Sequence, residues 1–308
     1  MTAMAPIGLA VDLSTAGTAK VATVGEDGRF DPAEIAIFSD ASVSTLTGVF
    51  MAFEREAGRS LRDSNVALAI PGVPGRAAVA ILRSRWMLSR DGLNQFFERP
   101  VTVVNDGAAK AWAVLGEHGL AAPIGDTPRL SPLPELGRRA LIQFEAGLGA
   151  TLIDRDADGR HRVLETEMGH LAFAPVEEVD ERIVHELRAA RQPTSWESVL
   201  RVAQGAQPSA VFAALPQTQK RELLIRWAAD FVSSTVLAMC AWDGVYLTGS
   251  GWSVLKEPAA GRALMSRLRR SRVFPRQFEA LPCWHIEQKH DVLRGCAQIL
   301  LSAAKAGR

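Results

Sequence analysis

An α/β chain in two parts, each opening on a β-hairpin, is predicted by a strand, turn, strand layout that occurs twice and by short apolar strands interspersed with helical spacing. The first copy runs from Ile7 to Val24: Leu9, Val11 and Leu13 alternate before the small-residue turn Ser14-Thr15-Ala16-Gly17, a second strand follows, and Asp27-Gly28-Arg29 turns the chain again. The second copy runs Leu141-Ile142-Gln143-Phe144 into Glu145-Ala146-Gly147-Leu148-Gly149, then Ala150-Thr151-Leu152-Ile153, and turns at Asp158-Gly159-Arg160. A duplicated hairpin-led unit, one heading each half, accounts for both.

The remaining elements follow from period and punctuation. Val43 to Ala57 has helical apolar spacing, Val66-Ala67-Leu68-Ala69-Ile70 is a buried strand stopped by Pro71-Gly72, and Val101 to Val104 is another, followed by a helix over Ala108 to Leu115. Gly116 to Arg139 is rich in proline and glycine and lacks a period, which predicts a linker or surface excursion beside a domain boundary. Beyond it, Val179 to Arg191, Trp196 to Ala203, Pro208 to Leu215 and Thr218 to Ala241 read as helices. Val245 to Thr248 reads as a strand ending at Gly249-Ser250-Gly251, and Asp291 to Ala304 as a closing helix.

Composition narrows the function classes. A chain of 308 residues, 47% hydrophobic and 22% charged, with a net charge of +1, is expected to be globular and offers no broad field for nucleic acid or an anionic membrane. The one basic cluster, Arg267, Arg269, Arg270 and Arg272, has no interleaved aromatics and reads as a solvated helix end. Three scattered cysteines suggest neither a disulfide framework nor a metal cluster. A cytoplasmic location is expected, since there is no signal-peptide pattern and no apolar run long enough to span a bilayer.

The candidate chemistry sits at strand ends. Asn105-Asp106-Gly107 stands between a buried strand and a helix, where side chains of an α/β sheet face the ligand crevice. A carboxylate there can take the proton of a hydroxyl that attacks a phosphoryl group; alternatively the triplet only turns the chain and caps the helix. Glu167-Met168-Gly169-His170 can hold vicinal hydroxyls through one carboxylate and one imidazole, or form a turn with a satisfied histidine. No third ligand stands at metal spacing, so no resident metal is expected. Glycine-containing turns at Ser14 to Gly17, Ala146 to Gly149 and Gly249 to Gly251 allow backbone N–H groups to approach phosphate, or are turns only. Asp12 interrupts an apolar strand beside the first turn, and either faces a phosphate-bound magnesium or is satisfied by N–H groups of the turn itself.

Taken in order, these pieces resemble the bacterial glucokinases of the actin-like sugar-kinase superfamily over nearly the whole chain. The Ala10 to Val21 hairpin is similar to the first phosphate loop, Arg83 to Trp86 to a Thr-Asn-x-x-Trp stretch, and Asn105-Asp106 to the Asn-Asp-Phe site. Gly147-Leu148-Gly149 is similar to the second phosphate loop, Glu167 to His170 to Glu-Gly-Gly-His, Trp196 to Leu200 to a sugar-contacting helix, and Thr248 to Gly251 to the adenosine-side strand end. The resemblance implies a two-lobed, ribonuclease H-like architecture of mixed sheets flanked by helices. It further implies a small domain over 1–110 completed by a helix over 291–308, and a large domain over 111–290. The related repressor-type sugar kinases carry a cysteine-rich zinc motif that is missing here, so the resemblance is to the zinc-free group.

By that resemblance Asp106 is the base for the 6-hydroxyl of a hexose, with glucose the first expectation, and Asn105, Glu167, His170, Glu197 and Arg83 contact the sugar. Asp12, Ser14, Thr15, Gly17, Gly147, Gly149, Gly249 and Gly251 hold ATP, with magnesium on its phosphates, and the partner expected is a second copy of the chain in a homodimer. Two departures stand out: the first loop, Asp-x-Gly-Gly-Thr-Asn in the family, is Asp12-Leu13-Ser14-Thr15-Ala16-Gly17 here, and Glu145 brings a carboxylate to the second loop. With Trp86 fixing the register, Arg83 replaces a sugar-binding asparagine and only donates, which favours an anionic or acceptor-rich sugar over glucose. Two functions follow: an active hexose kinase, or a sugar-binding sensor of the same ancestry with weak or absent catalysis.

Overall fold

The computed structural model describes residues 6–75, 77–116, 121–127, 137–145, 147–155 and 158–306. Contacts divide the chain into two compact units, Met1–Glu117 with Gln288–Arg308, and His118–Glu287.

Along the first unit run β1 (Gly8–Asp12), β2 (Thr18–Val24), β3 (Ala36–Ser39), α1 (Leu46–Ala57), β4 (Val66–Ile70), a hairpin of β5 (Ala78–Ala80) and β6 (Met87–Ser89), α2 (Arg90–Phe97), β7 (Thr102–Asn105) and α3 (Asp106–Gly116). The chain later returns to it with a C-terminal helix, Asp291–Ala306. The main sheet has the order β3-β2-β1-β4-β7, antiparallel across β1, β2 and β3 and parallel from β1 through β4 to β7. Strands β1 and β4 are buried along their whole length, as strands covered on both faces must be.

The period of two sorts the covering residues by size. Leu9, Val11, Leu68 and Ile70 pack with Phe50, Phe53, Leu93 and Phe97 of α1 and α2, whereas Ala10, Ala22, Ala67 and Ala69 pack with Ala109, Leu293, Cys296 and Ala297 on the other face. Small residues on that second face let α3 and the C-terminal helix lie close together and close to the sheet. At the tightest point a Cβ on Gly295 would stand 1.7 Å from the Ala109 carbonyl oxygen.

Along the second unit run β8 (Ala121–Pro123), β9 (Gly137–Phe144), β10 (Leu148–Arg155), β11 (His161–Thr166), α4 (Glu178–Ala189), α5 (Trp196–Ala203), α6 (Ala210–Ala213), α7 (Gln217–Met239), β12 (Val245–Thr248), α8 (Pro258–Arg269), α9 (Pro275–Ala280) and β13 (Cys283–Ile286). Its sheet has the order β11-β10-β9-β12-β13-β8. The first five strands of that order repeat β3-β2-β1-β4-β7 of the first unit in connectivity and direction. The duplication read from the two hairpins therefore extends through a five-stranded sheet. Its Asp-Gly-Arg turns match as well, with Gly28 at φ +77 and Gly159 at φ +76.

Two expectations are corrected. The proline-rich stretch after Gly116 is more than an excursion: β8 pairs with β13 as the edge strand of the sheet, and Ile124 and Thr127 are buried, while residues 117–120 and 128–136 lie outside the described residues. The arginine cluster does end a helix, α8, but it is not wholly solvated. Arg269 grips Asp126 with two N–H donors at 2.6 and 2.9 Å, and Arg267 lies 3.4 Å from Asp230. Elements α2 and β5 to β6 had no sequence signal because they are too short to display a period; Ser89 capping Gly92 N–H at 3.2 Å starts α2.

The larger core belongs to the second unit, where Phe144, Trp196, Trp227, Phe231 and Trp252 gather under β9, β10 and β12. Inside it the Asp180 carboxylate accepts from Arg226 at 2.7 Å, from Trp227 Nε1 at 2.9 Å and from the Val176 and Glu177 amides at 3.0 Å each. Burial alone would raise the Asp180 carboxyl, but Arg226 and the N–H donors outweigh it and hold the group below the ordinary carboxylate range.

Gly295→Ala tests the close approach of the C-terminal helix to α3. Alanine favours helix over glycine, yet here its methyl has no room, so the substitution is expected to destabilise by about 1–3 kcal/mol in urea denaturation. A neutral or stabilising result would mean that the two helices do not touch backbone to backbone.

Candidate functional site

In the first unit the C-terminal ends of the parallel strands bring three candidates together. Asp12 ends β1 and pairs in register with Ala69 of β4, while Asn105 ends β7 opposite Ile70. Asn105 donates Nδ2–H to the Gly72 carbonyl at 2.9 Å, and its Oδ1 accepts from the Gly107 amide at 2.7 Å. That side chain therefore ties the end of β4 to the start of α3, which is the capping role left open in the sequence. Asp106, the first residue of α3, is fixed in place by this tie.

Asp12 is 4% exposed, and its carboxylate is fully engaged: Ser14 donates N–H at 2.8 Å and Oγ–H at 2.6 Å, and Lys20 Nζ lies at 3.2 Å. In the turn, Ser14 alone supplies an N–H and a hydroxyl donor, and a lysine across the hairpin, missed in the sequence, supplies the counter-charge. The signal was available, because a hairpin register pairs Asp12 with Lys20 directly.

Burial pushes the Asp106 carboxyl up to about 6; Lys110 and the Gly107 N–H pull it down, and the charge of Asp12 adds to the rise. A carboxylate with this value is half-ionised just below neutrality, where a general base works best.

The first turn and the Arg83 stretch meet at Asp40, also missed in the sequence. Asp40 N–H donates to the Gly17 carbonyl at 2.9 Å, Gly17 stands at φ +63, and the Asp40 carboxylate accepts from Arg85 N–H at 2.9 Å and Ser84 Oγ at 3.0 Å. The Arg85 amide and then the Ser84 hydroxyl hold that carboxyl below its ordinary range. Arg83 itself lies in the exposed turn joining β5 to β6, at φ +56, and Thr15 is exposed in the first turn. Trp86 is buried and donates Nε1–H to the Val43 carbonyl at 2.7 Å.

In the second unit every candidate gathers on the turn between β9 and β10. Glu197, near the start of α5, accepts from the Leu148 amide at 3.0 Å, and a Cβ on Gly147 would approach the same carboxylate oxygen to 3.1 Å. Gly169 packs on the other side of Leu148, with no room for a side chain: its Cβ would stand 1.9 Å from the Leu148 carbonyl oxygen. This sets the exposed pair Glu167 and His170, 3.7 Å apart, beside the turn. Gly249, at φ +103, rests on the Phe144 carbonyl and the Glu145 side chain, and Gly251 on the Phe144 ring, while Gly149 faces Gln143. These glycines thus have packing reasons that the sequence alone does not separate from close approach to phosphate.

Among the described residues no three His, Cys, Asp or Glu side chains come together as a metal's ligand set, and no helix is long and apolar enough to cross a membrane. Magnesium keeps most of its ligands as water and phosphate oxygens, so an ion carried on a nucleotide needs few ligands from the protein.

Comparison with known proteins gives the family and the fold. A family model described as Glucokinase matches residues 14–229. The chain is similar to the glucokinase of Helicobacter pylori, 23% identical over 171 residues, covering 54% of this chain and 48% of that protein. It is also similar to that of Zymomonas mobilis, 28% identical over 184 residues, covering 59% and 53%. The chain spans about half the length of the curated relatives it matches. Among solved structures, a glucokinase from an Antarctic psychrotroph aligns with TM-score 0.74 at 20% identity over 96% of this chain and 98% of that one. A Balamuthia mandrillaris glucokinase in complex with glucose aligns with TM-score 0.68 at 13% identity over 96% and 93%. A Streptomyces griseus ROK family glucokinase in complex with glucose and AMPPNP aligns with TM-score 0.53 at 14% identity over 95% and 98%. These structural likenesses establish the fold, a pair of mixed sheets each flanked by helices.

The raised Asp106 carboxyl gives a signed stability test. Its folded value, about 6, exceeds the ordinary 3.8, so the ionised side chain opposes folding. The penalty is absent below 3.8, grows through that window and is complete above 6. Asp106→Asn is expected to raise the unfolding free energy near pH ~8 by about 2–3 kcal/mol, a gain that shrinks toward zero near pH ~4. Urea denaturation at the two pH values checks it; an equal gain at both contradicts the assignment.

Proposed function

This chain belongs to the glucokinase family, and from that premise we propose that it transfers the γ-phosphoryl group of ATP to the 6-hydroxyl of a hexose, with glucose the first candidate. The observation that carries the reading is Asp106: a carboxyl held at the end of β7, fixed by the Asn105 tie, and poised at about 6 by its surroundings.

In the proposed reaction Asp106 accepts the proton of the 6-hydroxyl as that oxygen attacks the γ-phosphorus. The new O–P bond forms while the bond from the γ-phosphorus to the bridging oxygen breaks, and ADP leaves. Magnesium carried in on the nucleotide would offset phosphate charge. Glu167 and His170 are exposed and close enough to share a pair of vicinal hydroxyls, one accepting and the other donating or accepting. Glu197 braces the β9 to β10 turn through the Leu148 amide while its carboxylate serves the sugar. The donors proposed for the nucleotide are, in the second unit, backbone N–H groups around Gly147, Gly149, Gly249 and Gly251, and, in the first, those of the Ser14 to Gly17 turn. Asp12 keeps that first turn in shape through Ser14, and Arg83 stands at the edge as a donor to sugar oxygens.

Coupled measurement of ADP release with magnesium, ATP and a panel of hexoses tests the proposal. Hexose-dependent turnover is expected in the wild type, and Asp106→Ala is expected to lower kcat by about 10²–10⁴-fold with KM for the hexose little changed. Turnover in the variant close to that of the wild type would remove Asp106 as the base. Saturable hexose binding without turnover in the wild type would replace the kinase with a sugar-binding sensor.

A further inference from the structure

Lys110 is the one charged side chain in the interior of α3, whose other residues after Asp106 are Gly, Ala, Trp, Val and Leu. It is 7% exposed, and a lysine is almost never buried to that degree without a partner. Four residues after Asp106, it lies on the same helical face one turn further along. Its Nζ stands 3.6 Å from Asp291 Oδ2, on the first residue of the C-terminal helix. The contact of Gly295 with the Ala109 backbone, one turn further along that helix, keeps the two helices from sliding.

We propose that Lys110 and Asp291 form a positioning pair for Asp106, the lysine offsetting the charge on the base and the aspartate from the C-terminal helix restraining the lysine. The inference rests on the reading of Asp106 as the base for its use in catalysis, though not for its electrostatics.

The surroundings of Asp106 supply few competing charges. From β1 comes Asp12, which opposes ionisation of Asp106, and behind it on β2 stands Lys20, already engaged with Asp12. On α3 is Lys110, which favours ionisation. The C-terminal helix brings Asp291 and Cys296; the latter is buried, its thiol pushed up and donating to the Val11 carbonyl, so it stays neutral. β4 faces the site with apolar side chains and β7 with the amide of Asn105. The lysine is therefore the cation that counters both burial and Asp12.

A purely structural pair would fasten the C-terminal helix and leave the ionisation of Asp106 alone. A tuning pair moves it in opposite directions when its two members are neutralised. The full chain labelled with ¹³C at aspartate carboxyls, with Asp106 assigned through D106N, reports this directly by NMR titration without substrate. The wild-type midpoint is expected at about 6, that of K110M higher by about one unit, and that of D291N lower by a smaller amount, with K110R close to wild type. Coincident midpoints in wild type and K110M overturn the proposal, as does an upward shift in D291N. Should K110M fail to fold, D291N carries the same test, because it leaves the lysine in place. The readout does not need turnover: opposite shifts in a chain whose ADP release ignores Asp106 would keep the pair and remove the base, and unshifted midpoints in an Asp106-dependent kinase would do the reverse.

Discussion

Two carboxylates, Asp12 at the end of β1 and Asp106 just past the end of β7, stand close enough for the charge of one to act on the other, and the first unit is arranged around holding both in a partly buried corner. Asp12 is neutralised where it stands, by Lys20 across the hairpin and by the Ser14 hydroxyl and amide. Asp106 is not matched so closely. The cation that eases its ionisation, Lys110, sits a helical turn further along α3 and is itself paired with Asp291. The asymmetry leaves one carboxylate closely paired and the other with a raised, usable proton affinity, which is how neighbouring acids come to divide their roles.

The second unit solves a different problem, that of supporting a turn from several directions. The backbone from Phe144 to Gly149 is met by Glu197 at the Leu148 amide, by Gly169 at the Leu148 carbonyl, and by Gly249 and Gly251 at Phe144. Each contact demands either a glycine or a carboxylate at a fixed place. Segments that read as separate motifs in the sequence are thereby mechanically one assembly, so a change at Gly169 would be felt at Glu197. The repeated five-strand order gives both units the same strand ends on which to build, and the difference between them lies in what those ends carry.

Local patterns were legible in the sequence and long-range partners were not. The hairpins, their Asp-Gly-Arg turns, α5 and β12 follow from period and turn chemistry within a dozen residues, and Asp106 announces itself as a polar residue closing an apolar strand. Asp12 was ambiguous because its partner lies across a hairpin whose register has to be assumed. Lys110 could be noticed as a charge among alanines, but Asp291 lies on the far side of the second unit in sequence and only folding brings it near. The glycines at 249 and 251 illustrate a further limit, since a residue chosen to pass under Phe144 and one chosen to admit phosphate look alike. Arg83 was read as a donor in the pocket through the register of Trp86; the fold places it in an exposed turn, tied through Ser84 and Arg85 to Asp40.

The pH dependence of hexose phosphorylation by the unaltered chain, measured as kcat/KM for the sugar with magnesium ATP saturating, tests the central claim most directly. If Asp106 takes the proton, activity falls on the acid side with a midpoint at about 6, the value its surroundings impose. A profile that stays flat down to the ordinary carboxylate range near 3.8 would contradict it.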